Sequence, residues 1–162
     1  MANRYASTYR GFDYLQLDNQ LTEEQKLIRE TVRNWVNTAI IPTIENNAEN
    51  NHFPKHIIKE LGEIGALGPH IPAKYGGGGL DAISYGIIMQ ELERGDSGVR
   101  SCASVQSSLV MYPIWKFGSE AQKLKFLPLL AKGEMVGSFG LTEPNHGSDP
   151  GGMETRLIKK NH

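Results

Sequence analysis

The chain has 162 residues, 39% of them hydrophobic and 22% charged, which is the composition of an ordinary globular domain able to bury a core. A formal net charge of -1 and a pI near 6.5 give no electrostatic reason for a nucleic acid or an anionic membrane as partner. The single cysteine, Cys102, cannot close an internal disulfide and has no CxxC companion, which fits a reducing compartment.

In chain order, the opening MANRYASTYRGFDYLQLDN has no continuous apolar run and carries acids, so it resembles neither a secretory signal nor a transit peptide. Residues 1–20 read as an N-terminal extension, and no stretch approaches a membrane span. Helix signals then dominate from Leu21 to Gly133. Thr22 with Gln25 has capping-box spacing, and Leu27, Ile28, Thr31, Val32, Trp35, Val36 and Ala39 recur at three-to-four spacing. Pro42 interrupts this helix, and the Asn-rich stretch 45–51 reads as either a short continuation or a polar loop. Pro54 suits a first helical turn, followed by an apolar stripe of Ile57, Ile58, Leu61 and Ile64 that ends at Gly65.

The segment GPHIPAKYGGGGLD, 68–81, holds too many glycines and prolines for regular structure and reads as an ordered loop capped into a helix by Asp81. Tyr85, Ile88, Met89 and Leu92 mark the buried face of that helix. A further start at Asp96 or Ser97 leads through Val99, Cys102, Val105, Leu109 and Val110 to an expected stop at Pro113. Ser119 with Gln122 repeats the capping-box spacing before Leu124, Leu127, Leu129 and Leu130, and Gly133 closes the helix. From Met135 the period changes: Val136, Ser138, Gly140 and Thr142 alternate with Gly137, Phe139 and Leu141, which predicts a strand.

Several constellations carry little chemistry. His52 and His56 have i, i+4 spacing, but Pro54 lies between them with no third ligand nearby, so they read as surface histidines and no metal site is expected. The run Gly76 to Gly79 lacks the Lys-Ser/Thr of a phosphate loop and is read as conformational. Cys102 lies on the expected apolar side of its helix, and no GxSxG is present, so nucleophilic hydrolysis has no support. The stretch FGLTEPNHGSDPGG, 139–152, is different. A strand ending in a glycine, proline and acid-rich turn offers backbone N–H groups and hydroxyls that suit a polar heterocycle and its phosphates, although the same residues also make ordinary surface turns.

FGLTEPNHGSD resembles the flavin-contacting signature of the acyl-CoA dehydrogenases. The segments HIPAKYGGGGLD, MQELERGDSGVRSCASVQSSL, FGSEAQKLKFLP and LAKGE occur upstream in the family's order. The resemblance runs from about Leu21 to Arg156, and DSGVRS with SVQSSLV is most similar to the glutaryl-CoA dehydrogenase branch.

The resemblance implies a mainly α fold: an N-terminal helical domain over 21–133, then the first strand and turn of a central β-domain over 134–162, cut short relative to the family. The family's glutamate base has no counterpart here, so no catalytic residue is named, and the 162-residue chain alone is expected to be inactive. The implied cofactor is FAD, contacted by Phe139, Gly140, Leu141, Thr142, Glu143, Pro144, Asn145, His146, Gly147 and Ser148. Leu141 and Thr142 are expected beside the isoalloxazine, and Gly147 and Ser148 near the pyrophosphate. His146 replaces a small polar residue common at that point of the family.

Substrate contacts carried over are Arg100, Ser101 and Ser104 for the acyl pocket and Ser148 for the pantetheine arm. The implied reaction removes an α-proton from an acyl thioester while the β-hydrogen leaves as hydride to the flavin. In the glutaryl branch, decarboxylation then gives crotonyl-CoA. Two alternatives stay open: a simple straight or branched acyl-CoA dehydrogenase, and a non-catalytic helical remnant or interaction module. Arg100 itself reads either as a fork for a distal carboxylate or as a structural ion pair with Asp96 or Glu93. Electron-transferring flavoprotein as oxidant, a homotetramer when complete, and a cytoplasmic location complete the expectations, the last becoming the mitochondrial matrix for a processed eukaryotic protein.

Overall fold

The computed structural model describes residues 14–159. Most of the N-terminal extension, 1–13, and the last three residues lie outside the described part. Among the described residues seven α-helices follow one another: α1 (Glu23–Trp35), α2 (Ile44–Glu49), α3 (Ile57–Glu63), α4 (Ala82–Gly95), α5 (Ser97–Ser104), α6 (Tyr112–Phe117) and α7 (Glu120–Ala131). The mainly helical class expected from the sequence is the class found.

Local chemistry places the helix starts. Thr22 and Gln25 form the reciprocal capping box at α1, and Ser119 and Gln122 repeat it at α7, so two orphan N–H groups are satisfied at each end. Asp81 Oδ1 accepts the Ser84 N–H at 2.7 Å, and Asp96 Oδ1 accepts that of Val99 at 2.7 Å. The Asn-rich stretch continues as helix through α2 and ends at Asn50. The loop before α4 is ordered by its own backbone, with Gly79 N–H donating to Ile71 C=O and Leu80 N–H to Pro69 C=O. Gly76 and Gly79 take positive φ of 86° and 64°, which bears out a conformational role for the glycine run.

Two helices widen into π-helical turns. α1 continues through Val36–Ile40, where the Ile41 N–H reaches back five residues to Val36 C=O, and α5 continues through Val105–Met111 into α6. The second widening corrects two expectations. Pro113 does not stop the helix but sits in the first turn of α6, because the widened turn before it relieves the clash between the proline ring and the preceding carbonyls. The helix ends at Phe117, four residues later. The extra residue also rotates the buried face: Leu109 is 43% exposed, while Ala103, Gln106, Ser107 and Met111 are buried.

One core joins Val32, Val36 and Ile40 to Ile57, Leu61, Ile88, Leu92 and Val99, uniting α1 with α3, α4 and α5. Another joins Ile71, Tyr75 and Met111 to Leu127, Leu130 and Ala131. Between α1 and α4 lies an ionic knot. Glu91, almost fully buried, accepts from Arg33 Nε at 3.1 Å and Nη2 at 2.6 Å and from Arg94 Nε at 3.0 Å. Burial pushes the Glu91 carboxyl up, but the bonds from Arg33 and Arg94 outweigh it and hold the group below the usual carboxylate range.

Backbone meets backbone where α3 crosses the end of α7. A Cβ on Gly62 would lie 2.5 Å from the Lys132 carbonyl, and one on Gly133 would lie 2.4 Å from the Ile58 carbonyl oxygen. Two stripe residues proposed from periodicity, Leu27 and Leu124, are instead 64% and 56% exposed, since each lies at the edge of an apolar arc wider than the one its neighbours cover.

Candidate functional site

The residues singled out from the sequence fall in two places: the first turns of α5, and the segment that leaves α7 after Gly133. The α5 group begins with Arg100. Its Nε donates to Glu93 Oε2 at 2.5 Å, and its Nη1 donates to Ser104 Oγ at 3.3 Å. Ser104 Oγ in turn donates to Ser101 C=O at 3.1 Å, so Arg100, Ser101 and Ser104 form one connected, half-buried group. Of the two acidic partners weighed for Arg100, Glu93 is the one engaged. The bonds from Arg100 and then Ser97 hold the Glu93 carboxyl below its ordinary range. Cys102, beside this group, is half-buried, and desolvation pushes its thiol up, away from thiolate chemistry.

The second place is the segment from Met135 onward. Among the described residues it joins no β-ladder, which corrects the predicted strand over Met135 to Thr142; the one bridge is the pair Glu143 and His146. A strand, unlike a helix, cannot satisfy its own N–H and C=O groups, and among the described residues no strand lies beside this segment. Phe139 and Leu141 are 47% and 39% exposed. Beyond them, Glu143 folds the turn back on itself: its carboxylate accepts the N–H of Thr155 at 2.9 Å and of Glu154 at 2.8 Å, and these bonds lower its pKa. His146 lies between two carboxylates, with Nδ1 3.7 Å from Asp149 and Nε2 4.0 Å from Glu154. Pro144, Asn145, Gly147 and Ser148 are exposed, and among the described residues the hydrogen bonds of the Arg100 group go to Glu93, Ser101 and Ser104, not to Ser148.

A residue that pattern reading missed holds the start of this segment. Gln106, 2% exposed, donates from Nε2 to Leu130 C=O at 3.0 Å and to Met135 C=O at 2.8 Å, while its Oε1 accepts the Gly137 N–H at 3.0 Å. Periodicity marks apolar positions and passes over an amide inside the core. A groove of about 490 Å³, lined by Val110, Ile114, Phe117, Phe126, Met135 and Gly137, runs beside the anchored stretch. From Ser138 to Thr142 the backbone N–H groups have no partner among the described residues. Exposed amide donors flanked by apolar side chains suit either a further strand or the polar edge of a ring, since both present acceptors to such a row.

Fold and site together define the class. The chain belongs to the acyl-CoA dehydrogenase family: residues 22–134 match the family model for "Acyl-CoA dehydrogenase, N-terminal domain". An acyl-CoA dehydrogenase of Bacillus subtilis (strain 168) is 40% identical over 141 residues, 87% of this chain and 37% of that protein. The short-chain-specific acyl-CoA dehydrogenase of Clostridium acetobutylicum is 40% identical over 144 residues, 88% of this chain and 38% of the relative. A glutaryl-CoA dehydrogenase from Mycobacterium smegmatis, solved in complex with FADH2, superposes with a TM-score of 0.84 at 46% identity, covering 87% of this chain and 36% of that one. The chain thus spans well under half the length of the curated relatives it matches. Among the described residues, no helix is long and apolar enough to cross a membrane.

Proposed function

We propose that this chain supplies the N-terminal helical domain, 21–133, and the first flavin-contacting segment, from residue 134 on, of an FAD-dependent dehydrogenase that oxidises and decarboxylates glutaryl-CoA. FAD, when bound, accepts the hydride from the acyl β-carbon. Phe139 to Thr142 present main-chain donors to the ring, and Gly147 and Ser148 serve its phosphates, with Ser148 also reaching the pantetheine arm. Ser101 and Ser104 line the acyl pocket. Electron-transferring flavoprotein is the oxidant, the complete enzyme is a homotetramer, and it works in the cytoplasm, where a lone thiol at Cys102 suits a reducing milieu.

The observation that carries the substrate assignment is the Arg100 group. The Arg100 side chain is one-third exposed, lies on a helix of small residues, and uses Nε for Glu93, while among the described residues its outer edge bears only the long Ser104 contact. That edge offers paired donors to a distal carboxylate, which a methyl-ended acyl chain would leave unused. The Glu93 pair favours the second reading, a straight-chain acyl-CoA substrate, since an arginine already neutralised needs no substrate carboxylate.

The test uses the chain continued by the remaining length of the Mycobacterium smegmatis relative. Arg100→Met should lower kcat/KM for glutaryl-CoA by about 2 to 5 kcal/mol while sparing butyryl-CoA and leaving flavin content unchanged. Equal losses on both substrates, or a parent enzyme that prefers butyryl-CoA, would remove the glutaryl assignment.

A further inference from the structure

The helix that carries the proposed acyl pocket also carries, two residues beyond Ser104, the side chain that holds the start of the flavin segment. Gln106 is buried, and its amide is fully engaged: both N–H groups donate, to Leu130 and Met135 carbonyls, and the oxygen accepts from Gly137. Bonds to the C=O of one residue and the N–H of the residue two further on are what a neighbouring parallel strand makes with its partner. Gln106 therefore supplies one rung of ladder to a segment that has no strand beside it among the described residues. Its third bond, to the last turn of α7, fixes where that rung stands.

This matters because side chains along an extended chain alternate in direction, so a slip of one residue exchanges every side chain between faces. With Met135 and Gly137 tied to one edge, the main-chain groups of Phe139 and Leu141 follow on that same edge in an extended continuation, and those of Gly140 and Thr142 on the other. The neighbouring buried hydroxyl braces the anchor from behind: Ser107 Oγ accepts the Gly68 N–H at 2.9 Å, holding the widened helical turn against the preceding loop. Resting on the flavin reading of residues 139–148, we propose that Gln106 is a positioning residue that sets the register of the flavin-contacting segment against the helix bearing the acyl pocket. It touches neither flavin nor substrate, and it acts through Met135 and Gly137.

Two measurements test this. In the 162-residue chain, amide exchange in the parent should show the Gly137 N–H protected, and Gln106→Met should speed it at least tenfold. The amides of Leu92 and Leu127 should stay slow. Gln106→Glu provides the control: its carboxyl accepts from Gly137 but donates only when protonated, so tail protection should be partly regained on going from pH 8 to pH 5. A Gly137 amide that exchanges alike in parent and both variants overturns the proposal.

In the chain continued by the Mycobacterium smegmatis remainder, Gln106→Met should shift the visible flavin band and lower kcat at least tenfold with KM for the acyl-CoA within twofold. An unchanged band with unchanged kcat overturns the positioning role even if Gly137 exchange has changed. A parent protein that binds no flavin overturns the functional reading instead, and leaves the exchange result to stand alone.

Discussion

The helical part from Thr22 to Ala131 and the segment from Met135 to Lys159 differ in how each satisfies its backbone. In the helices, N–H and C=O groups pair within each element, so the apolar stripes of α1, α3, α4 and α5 are free to close on one another around Leu61 and Leu92, both fully buried. In the segment, Val136, Phe139, Leu141 and Met153 remain between 39% and 58% exposed, and the amides from Ser138 to Thr142 stay unpaired among the described residues. Among the described residues the first region pairs its own backbone, and the second is held chiefly at its start by Gln106.

The contrast can be broken most forcefully at its centre. Leu92→Ala should cost about 2–5 kcal/mol by chemical denaturation, because a side chain with no exposed surface leaves a cavity behind. A loss under about 1 kcal/mol would mean that the core around Leu92 is not the source of stability. Next comes the ionic knot. Glu91→Gln should cost about 2 kcal/mol at neutral pH, as charge-assisted bonds from Arg33 and Arg94 are weakened.

The Glu91 carboxyl sits below its ordinary value in the folded protein, so the folded state binds fewer protons than the unfolded one as acid is added. Its contribution is complete above the usual glutamate value of about 4.3 and fades as pH falls below it. Denaturation midpoints measured from pH 7 downward should therefore fall less steeply in Glu91→Gln than in the parent. Parallel curves would show the knot to be energetically idle.

Smaller again, Ser119→Ala should remove about 1 kcal/mol by taking away the cap of α7. Smallest of all is Leu141→Ala, which should change the stability of the 162-residue chain by less than about 0.5 kcal/mol, since the side chain is already 39% exposed. A larger loss at Leu141 than at Ser119 would show that the segment is integrated into the helical core, and the comparison would fail.

Much of the helical region was legible because its signals are local. Thr22 with Gln25, Ser119 with Gln122, and Asp81 each declare a helix start within four residues, and Ile57, Leu61, Ile88 and Leu92 fall on stripes that periodicity alone identifies. What escaped depends on contacts between distant parts. The π-helical turn over Val105–Met111 shifts the buried face by one residue, which hides Gln106 and Ser107 from any regular helical period and carries the helix past Pro113. The Glu91 knot draws Arg33 from 58 residues away. At the candidate site, residues 139–148 stood out through their resemblance to the family's signature, whereas the amide that anchors the start of the segment looks in sequence like an ordinary polar residue.

The seam of Gly62 and Gly133 has a mechanical consequence. Most helix contacts are cushioned by side chains that can change rotamer and absorb a shift of a few tenths of an ångström. Here the Lys132 carbonyl faces Gly62 and the Ile58 carbonyl faces Gly133, with no side chain between. A displacement of α3 therefore passes undamped into the end of α7. The Glu134 and Met135 N–H groups both donate to Leu129 C=O in that last turn. The seam acts as a rigid coupling, so strain applied at one end of the helical domain emerges at Met135, where the extended segment begins.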